Sequence, residues 1–299
     1  MKIRLLLNGK KAGLDTIRQA VYSLRSQGHF LEVRVTWEAG DIERLVAEAI
    51  ADGCDRIIAG GGDGTVNEVA NALMLSPLAS RPELAILPLG TANDFATACT
   101  ISNQPLAALQ LAATGEATPI DIVSANEQYF INMATGGFGA QVTATTPVQL
   151  KNFLGGGAYT LTGLIQALNF QPFLGTVSIE GQNYDRKVLF GAVCNGRMAG
   201  GGQELAKSAY INDGLLELVS LQEFPASELS LVINELINDD IQNGQYVKRH
   251  QATAATWQSA EVMPINLDGE PLSTNKLTVK VIPEAINLVL PTGCPLIKV

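Results

Sequence analysis

Apolar runs at Ile3–Leu7, Phe30–Trp37, Arg56–Ala59 and Leu84–Leu87 alternate with helical patterns at Asp15–Gln27, Asp41–Ala51, Val66–Leu75 and Leu106–Ala113. Nothing else in the chain restricts its fold as strongly. In Asp41–Ala51, Ile42, Leu45, Val46, Ala49 and Ile50 recur at helical spacing, while Glu43, Arg44 and Glu48 fall on the other face. Strands that each lead into a one-faced helix build a parallel sheet covered on both sides. The expectation is a doubly wound α/β domain over residues 1–119, with ligands bound beyond the carboxyl ends of its strands.

Near Thr118–Ile120 the pattern changes. Ile120–Val123, Tyr129–Met133, Thr176–Glu180, Val188–Cys194, Leu215–Leu221 and Leu277–Ile282 are short, β-rich and separated by Gly, Asn, Asp or Pro. They predict an antiparallel, sandwich-like β domain over residues 120–289, interrupted by helices at Val148–Asn169 and Ser227–Ile237. Residues 290–299 are expected to return to the first domain. The fold class is therefore α/β plus all-β.

Charge removes one class of partner. The 299 residues carry a net −9, shared as 10 Lys+Arg against 15 Asp+Glu in residues 1–130 and 10 against 14 in residues 131–299. A phosphate backbone needs a dense basic footprint, so nucleic acid is not the expected partner. Cys54, Cys99, Cys194 and Cys294 are widely spaced, without a CxxC or a neighbouring histidine, as fits reduced, buried thiols. The start, Met1–Lys11, has too short an apolar run for a signal peptide, and no window approaches a membrane span. A cytoplasmic protein is expected.

The chemistry is signalled by Ile57-Ile58-Ala59-Gly60-Gly61-Gly62-Asp63-Gly64-Thr65-Val66-Asn67-Glu68. A strand passes through glycines into a helix, so main-chain N–H groups and a helix start approach one point, as a phosphate requires. Asp63 would repel a bare phosphate, which implies a divalent cation. Thr65 can donate its hydroxyl to a phosphate oxygen. The plainer alternative is a strand-to-helix turn capped by Asp63 or Thr65. Neither GxxxxGK[ST], nor GxGxxG after a strand, nor the HRD and DFG pair occurs.

Gly61-Gly62-Asp63-Gly64-Thr65, the continuation Val66–Leu73, the strand end Leu87-Pro88-Leu89-Gly90-Thr91-Ala92-Asn93-Asp94-Phe95-Ala96 and Leu267-Asp268-Gly269-Glu270-Pro271 together resemble the superfamily of diacylglycerol, sphingosine and ceramide kinases. NAD kinases and, more remotely, phosphofructokinases share its glycine turn. Leu7–Lys10, Val35–Trp37 and Ile131–Gly139 are most similar to the bacterial YegS-type lipid kinases. One departure is Asn8-Gly9-Lys10-Lys11, where many relatives have Asn-Pro followed by Ser-Gly.

The resemblance implies that Thr36, Gly62, Asp63, Gly64, Thr65, Val66, Asn67, Glu68 and Thr91 contact ATP. Thr36 and Thr91 also lie at strand carboxyl ends, where a hydroxyl can equally satisfy local backbone. Asn93 and Asp94 suit either the site or an ordinary helix cap. Glu270 is implied as the general base, with Asp268 its nearest rival. A structural Mg2+, with Ca2+ as the alternative, is implied at the Asp213 carboxylate and the carbonyls of Tyr210 and Leu215, donors that hard cations accept. Gly155-Gly156-Gly157 reads as a break in a core helix or as a segment lining a lipid entry. Lys248-Arg249-His250 reads as a solvated face or a weak docking spot for anionic head groups.

The function expected is transfer of the γ-phosphoryl group of ATP to a lipid hydroxyl, on phosphatidylglycerol or a diacylglycerol-like acceptor, during transient peripheral visits to a membrane. The rivals are an NAD kinase-like enzyme and a nucleotide- or lipid-sensing protein with little catalysis.

Overall fold

Alternate residues of β1 (Lys2–Leu7) serve opposite faces of one sheet, because successive strand side chains point to opposite sides. Ile3, Leu5 and Leu7 join Ile17, Leu24 and Leu109 in one core, built with helices α1 (Asp15–Ser26) and α5 (Pro105–Thr114). Helices α2 (Asp41–Ala51) and α3 (Asp63–Met74) pack on each other and on the sheet strands. β1 pairs in parallel with β2 (Phe30–Val35) and β3 (Arg56–Gly61), and β3 pairs with β4 (Glu83–Pro88). The strand order is β4-β3-β1-β2. The chain thus moves outward from β1 to β2 and then back across β1 to β3. That reversal is where doubly wound sheets bind ligands.

This computed structural model describes residues 1–137, 171–199, 202–238 and 240–299. It divides into two units, Met1–Ile122 with Pro283–Val299, and Val123–Ile282. The expected helix Val148–Asn169 and its glycines lie outside the described residues. In the first unit a short helix, α4 (Asp94–Ala98), follows β4. Two buried arginines tie strand to strand. Arg4 pairs with Glu32 and Asp52, and Arg56 with Glu83, while Arg56 also donates to the carbonyls of Ala112 and Gly115. All four cysteines are buried thiols outside any disulfide.

Two strands are shared between the units, β5 (Ala117–Ala125), which forms a hairpin with β6 (Gln128–Phe130), and β15 (Glu270–Val289), which pairs with β5 and β14. Between them and the far edge lie β7 (Met133–Gly137), β8 (Phe173–Ile179), β9 (Gln182–Cys194), β12 (Leu216–Gln222), β13 (Val247–Ala252) and β14 (Ala254–Leu267). A small ribbon joins β10 (Met198–Ala199) to β11 (Gln203–Glu204), and α6 spans Leu229–Ile237. Among the described residues the strand pairs within this unit are antiparallel. β7 and β8 share one row between β9 and β14, since Gly137 faces Phe190 and Phe173 faces Val188.

Several elements are longer than their apolar runs. β15 begins at Glu270, not Leu277, and β9 begins at Gln182. Their added residues alternate exposed with half-buried positions, so they carry no continuous apolar signal. The expected strand Tyr129–Met133 is instead split between β6 and β7. α3 starts three residues before Val66, because Gly62 in an extended conformation caps it and Asp63 supplies first-turn negative charge.

Candidate active site

Two loops at the carboxyl ends of β3 and β4 touch backbone to backbone. A Cβ on Gly90 would lie 2.6 Å from the Cα of Gly62, and one on Gly62 would lie 3.1 Å from the Cα of Gly90. Both glycines are therefore set by close approach, a reason independent of any ligand. A Cβ on Gly61 would meet Thr65 Oγ1 at 2.3 Å, so the Thr65 side chain folds back over the turn. Asp63 joins the loops from the other side, its Oδ1 accepting the Phe95 N–H at 3.2 Å. Its second oxygen has no hydrogen-bond partner among the described residues. Asp63 thus caps α4, while Asn93, at the N-cap position, turns its amide back on Gly90, accepting the Gly90 N–H at 2.8 Å and donating to its carbonyl at 3.1 Å. Asn93 has φ 52°, a left-handed conformation that asparagine tolerates. Asp94 is buried.

Gly90→Ala is expected to cost about 1–3 kcal/mol, the usual penalty of overpacking, because the contact it meets is main chain and cannot swing away. Chemical denaturation of the purified variant measures this, and unchanged stability would mean that the loops separate easily.

The sequence grouped Gly62 to Glu68 as one contact surface, and the structure divides it. Gly62, Asp63 and Gly64 are half-buried, Val66 and Asn67 are buried, and Glu68 is exposed. Asn67 accepts from Asn71 Nδ2 through both its main-chain and side-chain oxygens. Val66 and Asn67 therefore help pack the helix. Thr91 is exposed next to Gly90.

The departing first loop also has a structural explanation. The Asn8 N–H donates to the Gly60 carbonyl at 2.8 Å, and the Gly9 N–H donates to Thr36 Oγ1 at 3.2 Å. A Cβ on Gly9 would stand 2.2 Å from the Thr36 carbonyl oxygen. Gly9, missed among the candidate residues, thus lets the ends of β1 and β2 meet. Thr36 carries a local duty there, and lies in the loop after β2 rather than within the strand. Beyond it, Asp41 accepts the N–H groups of Trp37 and Glu38 and pairs with Arg44. The Trp37 bond, then Arg44 and Glu38, lower its pKa to about 2.

In the second unit β14 and β15 are joined by Asp268-Gly269, with φ 48° and 103°. Asp-Gly with both residues left-handed is the turn that matches strand twist in a two-residue hairpin. Asp268 Oδ2 accepts the N–H groups of Ile131 and Asn132 at 2.7 and 3.0 Å, and Oδ1 accepts that of Met133 at 2.7 Å. This buried carboxylate is committed to main chain, which argues against its rival role as base. Glu270, the first residue of β15, is exposed, and its carboxylate has no partner among the described residues.

Two family models cover nearly the whole chain: the diacylglycerol kinase catalytic domain matches residues 2–125, and the YegS C-terminal NAD kinase beta sandwich-like domain matches residues 133–290. A protein of Shewanella frigidimarina named "Probable lipid kinase YegS-like" is 49% identical over 98% of this chain and 95% of its own length. The chain belongs to the YegS-like lipid kinase family. A protein of the same name from Chromohalobacter salexigens is 44% identical over 98% of this chain and 94% of its own length. A solved Bacillus anthracis protein, 24% identical, shares the fold with TM-score 0.83 over 98% of each chain. The α/β unit followed by a β-sandwich-like unit, expected from the sequence, is the architecture of this kinase family.

At the cation loop that resemblance implies for YegS-like kinases, Asp213 Oδ1 accepts the Leu215 N–H at 3.1 Å, and Gly214 is left-handed. Tyr210 lies under Arg197, 5.0 Å from its guanidinium carbon, and Arg197 donates to the Ala209 carbonyl. Among the described residues no three His, Cys, Asp or Glu side chains gather as a metal cluster. A cation here would have one carboxylate and main-chain oxygens as donors, the kind that hard cations such as Mg2+ or Ca2+ accept.

The second unit of this YegS-like chain encloses a cavity of about 100 Å3. Its walls include Val177, Ile179, Val193, Leu218, Met263 and Leu277, and the ring of Trp257 lies over Gly175, where a Cβ would meet it at 2.5 Å. Trp257 Nε1 is buried with no hydrogen-bond partner. Arg186, Tyr184 and His250 also line the cavity. Arg186 lies 4.9 Å over the Tyr184 ring, and that ring stacks on His250 at 5.7 Å. Burial, then Arg186 and Lys248, hold the His250 imidazole below its ordinary pKa.

The cationic run Lys248-Arg249-His250 is not a solvated face. It lies in β13, so alternation divides it between the two sides of the sheet. Arg249 is buried, donating to the carbonyls of Glu235 and Leu236, and Lys248 donates to that of Gly244. Burial pushes the Glu235 carboxyl up, but the N–H groups of Val247, Tyr246 and Gln245 outweigh it and hold its pKa below the ordinary value. The run fastens α6 to β13.

Proposed function

We propose that this YegS-like kinase transfers the γ-phosphoryl group of ATP to a hydroxyl of a phosphatidylglycerol or diacylglycerol-like lipid. The observation that carries the reading is the pair of loops held together by Gly62, Gly90 and Asp63. Together they put a helix start, glycine N–H groups and an uncommitted carboxylate oxygen at the carboxyl ends of adjacent strands. Main-chain N–H groups from Gly62 to Thr65 bind the phosphates, and Thr36 and Thr91 contact the nucleotide. Asp63 holds Mg2+, which neutralises phosphate charge when bound. Asp213, with the carbonyls of Tyr210 and Leu215, holds a second, structural cation.

Glu270 acts as the base. As the lipid oxygen forms its bond to the γ-phosphorus, the bond from that phosphorus to the bridging oxygen breaks. ADP leaves with the electron pair, and the hydroxyl proton passes to Glu270. The apolar cavity of the second unit accommodates part of an acyl chain, and Trp257 Nε1 offers one donor to an ester or hydroxyl oxygen. A largely apolar lining favours a lipid over NAD, whose groups call for many polar partners. No helix among the described residues is long and apolar enough to cross a membrane, and peripheral, transient contact with the bilayer suffices for such a substrate.

The test is transfer from γ-labelled ATP to a total lipid extract, with NAD in a parallel reaction and the labelled product identified. Labelled lipid supports the proposal. Faster formation of NADP, or nucleotide binding without any transfer, overturns it in favour of one of the rivals.

A further inference from the structure

We propose that Trp37 is the platform on which the purine ring of the donor nucleotide stacks. The inference deepens the kinase reading by assigning the part of the nucleotide that the glycine turn does not hold. Trp37 is 94% exposed, in a chain whose other tryptophan is packed in the second unit. A tryptophan carries one of the largest apolar surfaces of any side chain, and a solvated ring forgoes its burial energy.

The ring is attached to a rigid support. On one side the Trp37 and Glu38 N–H groups donate to Asp41 Oδ2 at 2.6 and 3.1 Å, while Arg44 holds Oδ1 at 2.6 Å. On the other side the Thr36 N–H donates to the Leu7 carbonyl at 3.0 Å, and the Gly9 turn abuts the Thr36 carbonyl. The peptide leading into Trp37 is therefore fixed between the end of β1 and the first turn of α2. An uncovered aromatic face on a fixed main chain is suited to receive another flat ring.

Position supplies the second argument. β3, which ends in the glycine turn, β1 and β2 are consecutive neighbours. Two strand spacings, about 10 Å, separate the turn from the end of β2, comparable to the reach from a terminal phosphate to the base of a nucleoside triphosphate. The bonds from Asn8 to Gly60 and from Gly9 to Thr36 make a continuous floor between the two points. The rival occupant is a membrane interface, where tryptophan is also at home. Glu38 and Glu43 are exposed close to Trp37 in the sequence, and the net charge of −9 opposes an anionic bilayer. Stacking on a neutral base meets no such opposition.

The chain has two tryptophans, Trp37 and Trp257, so full-length Trp257→Phe reports Trp37 emission alone. ADP is expected to quench that emission saturably, at the Kd read by calorimetry, whereas inorganic tripolyphosphate binds without quenching. Trp37→Ala is expected to bind ADP at least about tenfold more weakly and tripolyphosphate unchanged, with Trp37→Phe recovering much of the loss. If Trp257→Phe folds poorly, the difference in emission between wild type and Trp37→Phe gives the same reading. Undiminished ADP affinity in Trp37→Ala overturns the proposal. So does emission that ignores ADP but shifts to the blue with phosphatidylglycerol vesicles, which would assign the ring to the membrane. Quenching by ADP in a chain that transfers nothing to lipid supports the stacking role while the kinase reading fails.

Discussion

Glu270→Gln is expected to bind ADP as the wild type does and to transfer phosphoryl groups to lipid about 10²–10⁴-fold more slowly, the usual contribution of a general base. That corresponds to roughly 3–5 kcal/mol of transition-state free energy. Glutamine keeps the size and the hydrogen-bonding carbonyl of the side chain but cannot take a proton at neutral pH. The substitution also disturbs little else. Glu270 is exposed and its carboxylate has no partner among the described residues, so the melting temperature should stay within about 1–2 °C of wild type, as for other surface changes. ADP lacks the γ-phosphoryl group and the acceptor hydroxyl on which the proposed base acts, which is why ADP affinity should persist. Steady-state kinetics with lipid in excess, beside calorimetry with ADP, checks both halves. A kcat within threefold of wild type would remove Glu270 from the chemistry.

How much of this was legible before the structure depends on which force fixed each element. β1, β3 and β4 were visible because both faces of a parallel strand are buried, so Leu5, Ile58 and Ile86 sit in continuous apolar runs. β13 was not, because Lys248, Arg249 and His250 carry charge and Arg249 is buried by pairing with carbonyls rather than by apolar packing. The Asp-Gly of the β14–β15 hairpin was a strong local signal, yet β15 seemed to begin at Leu277, since its first turn of pairing is made by half-exposed residues.

The glycine signature announced a ligand loop, but its second reason, contact between Gly62 and Gly90 across 28 residues of sequence, is a tertiary fact. In the sequence Asp268 stands as the nearest rival to Glu270, two residues away. Only the three N–H groups from Ile131 to Met133 separate the structural carboxylate from the exposed one. Trp37 belongs to the Val35–Trp37 resemblance without a role there, because exposure is not written in a residue's identity.

That separation yields the second large effect. Asp268→Ala is expected to destabilise the second unit by about 3–5 kcal/mol. It leaves three main-chain donors without the charged acceptor they now share, each such bond contributing roughly 1.5–3 kcal/mol before relaxation. Alanine at φ 48° adds backbone strain of about 1–2 kcal/mol, while water reaching the opened turn offsets part of the loss. At roughly 2–4 °C per kcal/mol for a unit of this size, the transition should fall by about 10 °C. Asp268→Asn should lie between. Asparagine tolerates the left-handed turn, but its amide presents N–H groups to one of the oxygen positions that now accept from Ile131, Asn132 and Met133. Well below the melting transition, Asp268→Ala should also lower kcat, because the hairpin that carries Glu270 loses its anchor, while ADP affinity holds. The double variant Asp268→Ala with Glu270→Gln should be no slower than Glu270→Gln alone, since a displaced base that cannot accept a proton has nothing further to lose. A full additive loss would mean that Asp268 acts on the reaction by some route other than holding Glu270.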